Sequence, residues 1–235
     1  MGESNAMAAR KAFFVTGTDT EVGKTLVSSA LLTAANQLGK TTVGMKPVAA
    51  GCESVDGQWR NEDALALMAS ASLELPYEQV NPVALPAAIA PHLAAAQAGR
   101  RLSLDRLTGF CQAIMMQRAD LTVIEGAGGW RVPLNEREML SGLASRMQLP
   151  VILVVGIRLG CINHAILTAE AIRRDGLPLA GWVANHLSAP DEVAEQNVQT
   201  LTSMMPGPLL GEVPWMEAAS VETAAQALSL RALLD

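Results

Sequence analysis

The amino-acid sequence predicts an α/β fold, a mainly parallel sheet flanked by helices. Short apolar runs alternate with helical patterns along the chain. One run, residues 151–155, is apolar at every position, the mark of a strand buried on both faces. Half of the 235 residues are apolar and only 3% are aromatic, with much Ala, Leu and Val. Such side chains suit helices packed on a buried parallel sheet. Repeated strand, helix, strand order implies right-handed crossovers, and ligands then bind beyond the carboxyl ends of the strands.

Taken in order, residues 12–16 read as the first strand. Residues 24–38 read as a helix stopped by Gly39, and 41–46 as a strand closed by Pro47. A helix at 61–71 has Asn61 as its cap. A helix at 104–118 leads to a strand at 121–124. After the strand at 151–155, a helix runs from about Asn163 to 174, with Asn163 as its cap. A strand at 179–184, a helix at 191–204, a strand at 209–213 and a helix at 221–234 follow. The stretches 52–60 and 76–91 read as loops, long for plain connectors, and so are expected to line a site. No repeat or linker appears. Residues 1–6 (MGESNA) read as the remnant of an expression tag, and 7–235 as a single domain.

Composition excludes several classes. The formal charge is -6, with no basic stripe to carry a nucleic acid. Cys52, Cys111 and Cys161 lack metal-ligand spacing, which points to a reducing compartment and to small apolar fillers. His92, His164 and His186 are scattered, against a zinc site. No apolar run reaches membrane-spanning length and no signal peptide precedes the first strand, so no membrane partner and a cytoplasmic location are expected.

The strongest signal is GTDTEVGKT, Gly17 to Thr25, which follows a strand and opens a helix. Backbone N–H groups of such a loop converge on phosphate oxygens. Lys24 reaches the outer phosphates, the Thr25 hydroxyl can bind Mg²⁺, and Gly23 lets the backbone approach its ligand. Five residues rather than four separate Gly17 from Gly23, so the loop is a variant of the phosphate-binding pattern. The expected fold is therefore a P-loop NTPase fold.

Other candidates stand at strand ends. Glu125 is followed by Gly126, Ala127, Gly128 and Gly129, where a carboxylate can hold Mg²⁺ or water and glycines let a ligand lie on the backbone. Lys46, taken alone, reads as an ordinary solvated lysine. Asp63, in the first turn of a helix, ordinarily just complements the helix dipole. Beside bound ATP, the acid could serve the metal and the lysine could neutralise a moving phosphoryl group. Asn185 could read adenine or simply turn the chain. Pro214, Trp215 and Met216 could close over a base or end a strand.

The motifs GTDTEVGKT, GMKPVAAG, RNEDALAL, VIEGAGGW, LPVILVVGIRLGCINHA, GWVAN and GEVPW occur in one order from about Phe13 to Trp215. In this the chain resembles the dethiobiotin synthetases. The resemblance implies a Mg-ATP-dependent cyclo-ligase. It carboxylates and cyclises 7,8-diaminopelargonic acid with CO₂, through a carbamate and a carbamic-phosphoric anhydride, to dethiobiotin, ADP and phosphate. It implies that Glu21, Val22, Gly23, Lys24, Thr25 and Leu26 cradle phosphates, and that Thr25, Asp63 and Glu125 serve Mg²⁺. Lys24 and Lys46 are the implied catalytic cations. Gly126, Ala127 and Gly128 lie on the nucleotide side; Asn185, His186 and Pro214 to Met216 line the base. Thr20, Lys46 and Ala50 face substrate, and Gly160, Cys161, Ile162 and Asn163 meet the substrate of a second subunit in a homodimer. The chain departs from the family pattern at Ala50 and Ala90, where that pattern has Ser; at Ala50 only the backbone remains to serve.

Two other P-loop classes compete. An ATPase switch of the partition and cell-division-positioning class carries a lysine early in the loop, where this chain has Thr18, Asp19 and Thr20. Amide-forming synthetases of cobalamin synthesis usually append a glutaminase domain, for which 235 residues leave no room.

Overall fold

The computed structural model describes residues 11–189 and 191–234. The segment 1–6 and its boundary at residue 7 lie outside the described residues. Strand β1 (Lys11–Gly17) runs through the phosphate loop into α1 (Lys24–Gln37), and β2 (Thr42–Met45) follows. Three short strands come next, β3 (Ala49–Ala50), β4 (Glu53–Val55) and β5 (Gln58–Arg60). Then come α2 (Glu62–Ser70), α3 (Tyr77–Val80), β6 (Ala84–Leu85), α4 (Pro91–Gln97), α5 (Leu104–Met115) and β7 (Leu121–Glu125). The chain continues through α6 (Ser141–Met147), β8 (Val151–Ile157), α7 (Cys161–Arg174), β9 (Leu179–His186) and α8 (Glu192–Met204). It closes with β10 (Leu209–Val213), α9 (Val221–Gln226) and α10 (Arg231–Leu234).

Six strands form one sheet in the order β10-β9-β8-β1-β7-β2, every neighbouring pair parallel. The pleat sends successive side chains to opposite faces. Phe13 and Val15 enter the core beneath α1 and α9, with Val123, Ile152, Val154 and Val183. Phe14 enters the core on the other face, with Ile124, Leu153, Val155 and Trp182. Both faces are therefore dry, as the wholly apolar run at 151–155 predicts.

Strand order reverses about β1. The chain goes from β1 to β2 on one side, then from β7 to β8 on the other, leaving a crevice at the carboxyl edge. Register sets what meets there. Val15 pairs with Glu125, and Met45 pairs with Ile124. Lys46, one residue past Met45, thus falls beside Glu125.

Several expectations need correction. The loop at 52–60 is a hairpin: β4 and β5 pair antiparallel about Asp56 (φ 52°) and Gly57 (φ 75°). An Asp-Gly pair with both φ positive is the turn that matches strand twist. The stretch 76–91 contains α3 and β6, because Ala84–Leu85 pairs with Ala49–Ala50. The helix expected from Asn163 begins at Cys161. Gly160 (φ 91°) holds the capping position and Asn163 lies in the first turn, so it is not the cap. The last helix divides, because Leu228 bridges Gly211 and Ser229 N–H donates to Leu210 O, adding backbone to the β10 edge. Asn61 does cap α2, its Oδ1 accepting from Ala64 N–H at 3.3 Å.

Candidate active site

The phosphate loop is built from backbone. Glu21 (φ 59°) and Gly23 (φ 87°) both adopt left-handed conformations around buried Val22. Such alternation turns successive N–H groups toward one concave side. Helix α1 starts there with no side-chain cap and no acid in its first turn, so its N-terminal amides and dipole face the loop's hollow. Asn185, at the end of β9, pins the loop from behind: its Nδ2 donates to Val22 O at 2.9 Å. A Cβ on Gly23 would stand 2.2 Å from that same Nδ2, so glycine is required by both space and φ.

Lys24 projects from this loop, 7% exposed, and its Nζ donates to Asp19 O at 3.0 Å. Burial, reinforced by the nearby Lys46 ammonium, lowers its pKa to about 8, outweighing Glu125, Asp63 and Asp19. Lys46 is the centre of the acidic cluster. Its Nζ lies 2.5 Å from Glu125 Oε1, 2.7 Å from Asp63 Oδ2 and 3.3 Å from Gly126 O. Burial alone would neutralise Lys46, but the two carboxylates together reverse that and hold its pKa above the usual lysine value. For Asp63, burial works toward protonation; Lys46, by charge and hydrogen bond, overrides it and keeps the carboxyl below its usual range. Thr25 Oγ1 donates to Glu125 Oε1 at 2.9 Å.

Thr25, Asp63 and Glu125 also fit a hard divalent cation. They offer a hydroxyl and two carboxylates, the oxygen donors such an ion takes. The two carboxylates already converge on a positive charge, the Lys46 ammonium. Glu125 Oε2 is buried and has no hydrogen-bond partner among the described residues. A buried anionic oxygen without a partner is costly, and a cation would satisfy it.

A cleft of about 930 Å³ opens above this cluster. Thr20, Glu21, Gly23, Lys24, Thr25, Lys46, Ala50, Asp63, Ala127 and Gly128 line it. Glu125 and Gly126 lie buried just beneath, joined to Lys46. Val22 and Leu26 turn toward the core under α1. Other expected residues stand apart from the lining. His186 meets Glu212 Oε1 through Nε2 at 2.5 Å, so a carboxylate there fixes the proton on Nε2. Trp215, just past β10, is 43% exposed between Pro214 and half-buried Met216. Gly160 and Asn163 are exposed, Ile162 is half-buried, and Cys161 points inward at 1% exposure. Ala88 and Ile89, in the stretch 76–91 expected to line a site, do line the cleft, whereas no residue of 52–60 does; sequence reasoning missed Arg131, Val132 and Pro133 and saw Asn61 only as a cap. Arg131 stands two residues past the glycine run, after Trp130, and that nearness is the signal that could have found it.

A free helix start behind a left-handed loop, on the carboxyl edge of a parallel sheet and beside a lysine and two acids, defines a P-loop nucleotide-binding protein. A family model described as an AAA domain matches residues 11–223. The ATP-dependent dethiobiotin synthetase BioD of Cellvibrio japonicus is 59% identical over 97% of this chain and 99% of its own length. That of Pseudomonas aeruginosa strain UCBPP-PA14 is 56% identical over 94% and 97%. The chain belongs to the ATP-dependent dethiobiotin synthetases within that domain family. A chain of the MinC:MinD cell division protein complex of Aquifex aeolicus matches with a TM-score of 0.55 at 14% identity, covering 93% of this chain and 86% of that one. That likeness is one of fold.

Proposed function

We propose that this chain closes the cyclic urea of dethiobiotin from 7,8-diaminopelargonic acid, CO₂ and ATP, releasing ADP and phosphate. The observation that carries this reading is Lys46, a buried cation held by Glu125 and Asp63 at the mouth of the phosphate loop, where an anion other than the nucleotide can be neutralised. One amine takes up CO₂ and loses a proton, giving a carbamate. A carbamate oxygen attacks the γ-phosphorus, the bond to the β,γ-bridging oxygen breaks, and ADP leaves. The second amine attacks the carbonyl carbon, the C–O bond to phosphate breaks, phosphate departs with the electron pair, and the amine loses its proton.

The chain's part is positioning and charge neutralisation. Amides from Glu21 to Leu26 hold the phosphates, and Lys24 and Lys46 neutralise the carbamate and the moving phosphoryl group. When bound, Mg²⁺ supplies further neutralisation of the phosphate oxygens; Thr25, Asp63 and Glu125 would hold it. Gly126, Ala127 and Gly128 flank the nucleotide. Asn185 keeps one amide N–H and its oxygen for a base, beside His186 and Pro214 to Met216. Thr20 and the Ala50 backbone face the diamine.

The carboxylate end of the substrate belongs to Gly160, Cys161, Ile162 and Asn163 of a second copy, in a homodimer. The start of α7 carries no side-chain cap, which favours an anion. Leu159, 91% exposed, and Leu167, 56% exposed, flank it and suit a subunit contact. No described helix is long and apolar enough to cross a membrane. The described cysteines are free and buried, in keeping with a reducing, cytoplasmic compartment.

The test is to supply Mg-ATP, labelled bicarbonate and diaminopelargonic acid. Label should enter a cyclic urea, and ATP should be consumed appreciably only when diamine and CO₂ are both present. Equal ATP consumption with and without the diamine would sink the reading.

A further inference from the structure

The single tyrosine of the chain, Tyr77, lies on α3, outside the cleft lining, and is buried at 7% exposure. Its hydroxyl accepts from Asn61 N–H at 2.8 Å and donates to Asn81 Oδ1 at 2.9 Å. Asn81, also buried, passes the connection on: its Nδ2 donates to Lys46 O at 2.7 Å. Lys46 N–H donates to Val80 O at 2.9 Å, so both backbone groups of Lys46 are held by residues 80 and 81. On the other side, Asn61 caps α2, and Asp63 sits in the first turn of that helix. Asp63 then meets Lys46 Nζ at 2.7 Å. The connections form a closed circuit: Lys46 main chain, Asn81, Tyr77, Asn61, the start of α2, Asp63, and back to the Lys46 ammonium.

From this we infer that Tyr77 and Asn81 are positioning residues for the reaction, which fix the start of α2 relative to the end of β2 and so set Asp63 against Lys46. The inference rests on the cyclo-ligase reading for what Lys46 and Asp63 do. The circuit itself is a matter of geometry. Buried hydrogen bonds of this kind define one arrangement, because breaking any of them strands a polar group away from water. Neither residue touches the reacting atoms, so their effect passes through two that do. Displacement of such groups by about 1 Å can cost about 100-fold in rate.

The experiment compares the full chain with Tyr77→Phe, Asn81→Leu and the double variant, each near isosteric. Turnover is measured with Mg-ATP, bicarbonate and diaminopelargonic acid, ATP binding by equilibrium titration, and folding by thermal denaturation. Folded variants should lose about 10- to 100-fold in kcat. KM for ATP and diamine and the ATP Kd should stay within about threefold, since the phosphate loop is untouched. The double variant should fall no more than about threefold below the worse single variant, because either change opens the same circuit. A kcat within about twofold of wild type in either folded variant would overturn the inference, as would multiplicative losses in the double. Failure of both single variants to fold would overturn it too, assigning the circuit to stability alone. If the wild-type chain forms no urea, the reaction reading fails instead, and that result is separate from any difference among the variants.

Discussion

The Lys46 ammonium stands 2.5 Å from Glu125 Oε1, with side-chain exposures of 5% and 0%. Taking one partner from a buried pair leaves the other charge stranded, which costs about 3–5 kcal/mol. Lys46→Ala is therefore expected to lower stability by that order in metal-free buffer, measured by denaturant titration. It should gain more than wild type from added Mg²⁺ and ADP, which bring positive charge back to Glu125. Turnover should fall about 10²–10³-fold, the usual loss for one positioned donor, while ATP affinity changes little. Equal weakening of ATP binding in Lys46→Ala and Lys24→Ala would remove the distinction between the two lysines.

Lys24 should impose a pH dependence on nucleotide binding. The protonated form binds phosphate, and in the free chain the pKa is lowered to about 8. ATP affinity is expected to be flat below that pH and to weaken as pH rises through it, by up to about tenfold per pH unit. Because this pKa lies below the usual lysine value, burying the charge opposes folding, and the opposition is fully present below pH 8. Lys24→Met should therefore melt higher than wild type at pH 7 without nucleotide, yet bind ATP poorly. A lower melting temperature would show that Asp19, Glu125 and Asp63 outweigh burial.

At Gly23, φ is 87° and an added Cβ would meet Asn185 Nδ2 at 2.2 Å. Gly23→Ala should weaken ATP binding at least about 100-fold, by calorimetric titration. Adding Asn185→Gly relieves the clash but leaves the backbone cost of about 1–2 kcal/mol and removes the bond to Val22 O. Recovery should thus be partial. Full recovery would mean that Asn185 has no part in holding the loop.

A site shared between subunits predicts complementation. Lys46→Ala disables the phosphate end and Asn163→Trp crowds the start of α7; each alone should be nearly inactive. In a mixed dimer both defects can fall in one site and leave the other whole, so re-equilibrated mixtures should regain part of the wild-type rate. Verified subunit exchange without recovery would place the carboxylate within one chain.

Much of the site is legible because its chemistry is local. The phosphate loop is one run of residues between a strand and a helix, and its left-handed positions and bare helix start follow from that run. Glu125 and Lys46 are legible as strand ends, and Asn61 as a cap. Asp56-Gly57 is a hairpin-turn signal, but the polar residues around it hide the two short strands, so 52–60 reads as a loop.

By itself the sequence determined a parallel α/β sheet, through apolar periodicity, and a phosphate loop at its carboxyl edge, through spacing. The order of its motifs also pointed to the family. Tertiary structure alone decided what Lys46 and Asp63 meet, since each read alone is an ordinary surface residue. Lys46 meets Glu125 across 79 residues, and Asn185 reaches Val22 across 163. Tyr77 and Asn81 carried no motif at all. The physical reason is that turns, caps and periodicity act between neighbours in the chain, whereas a buried charge acquires its role from whichever strands the register sets beside it.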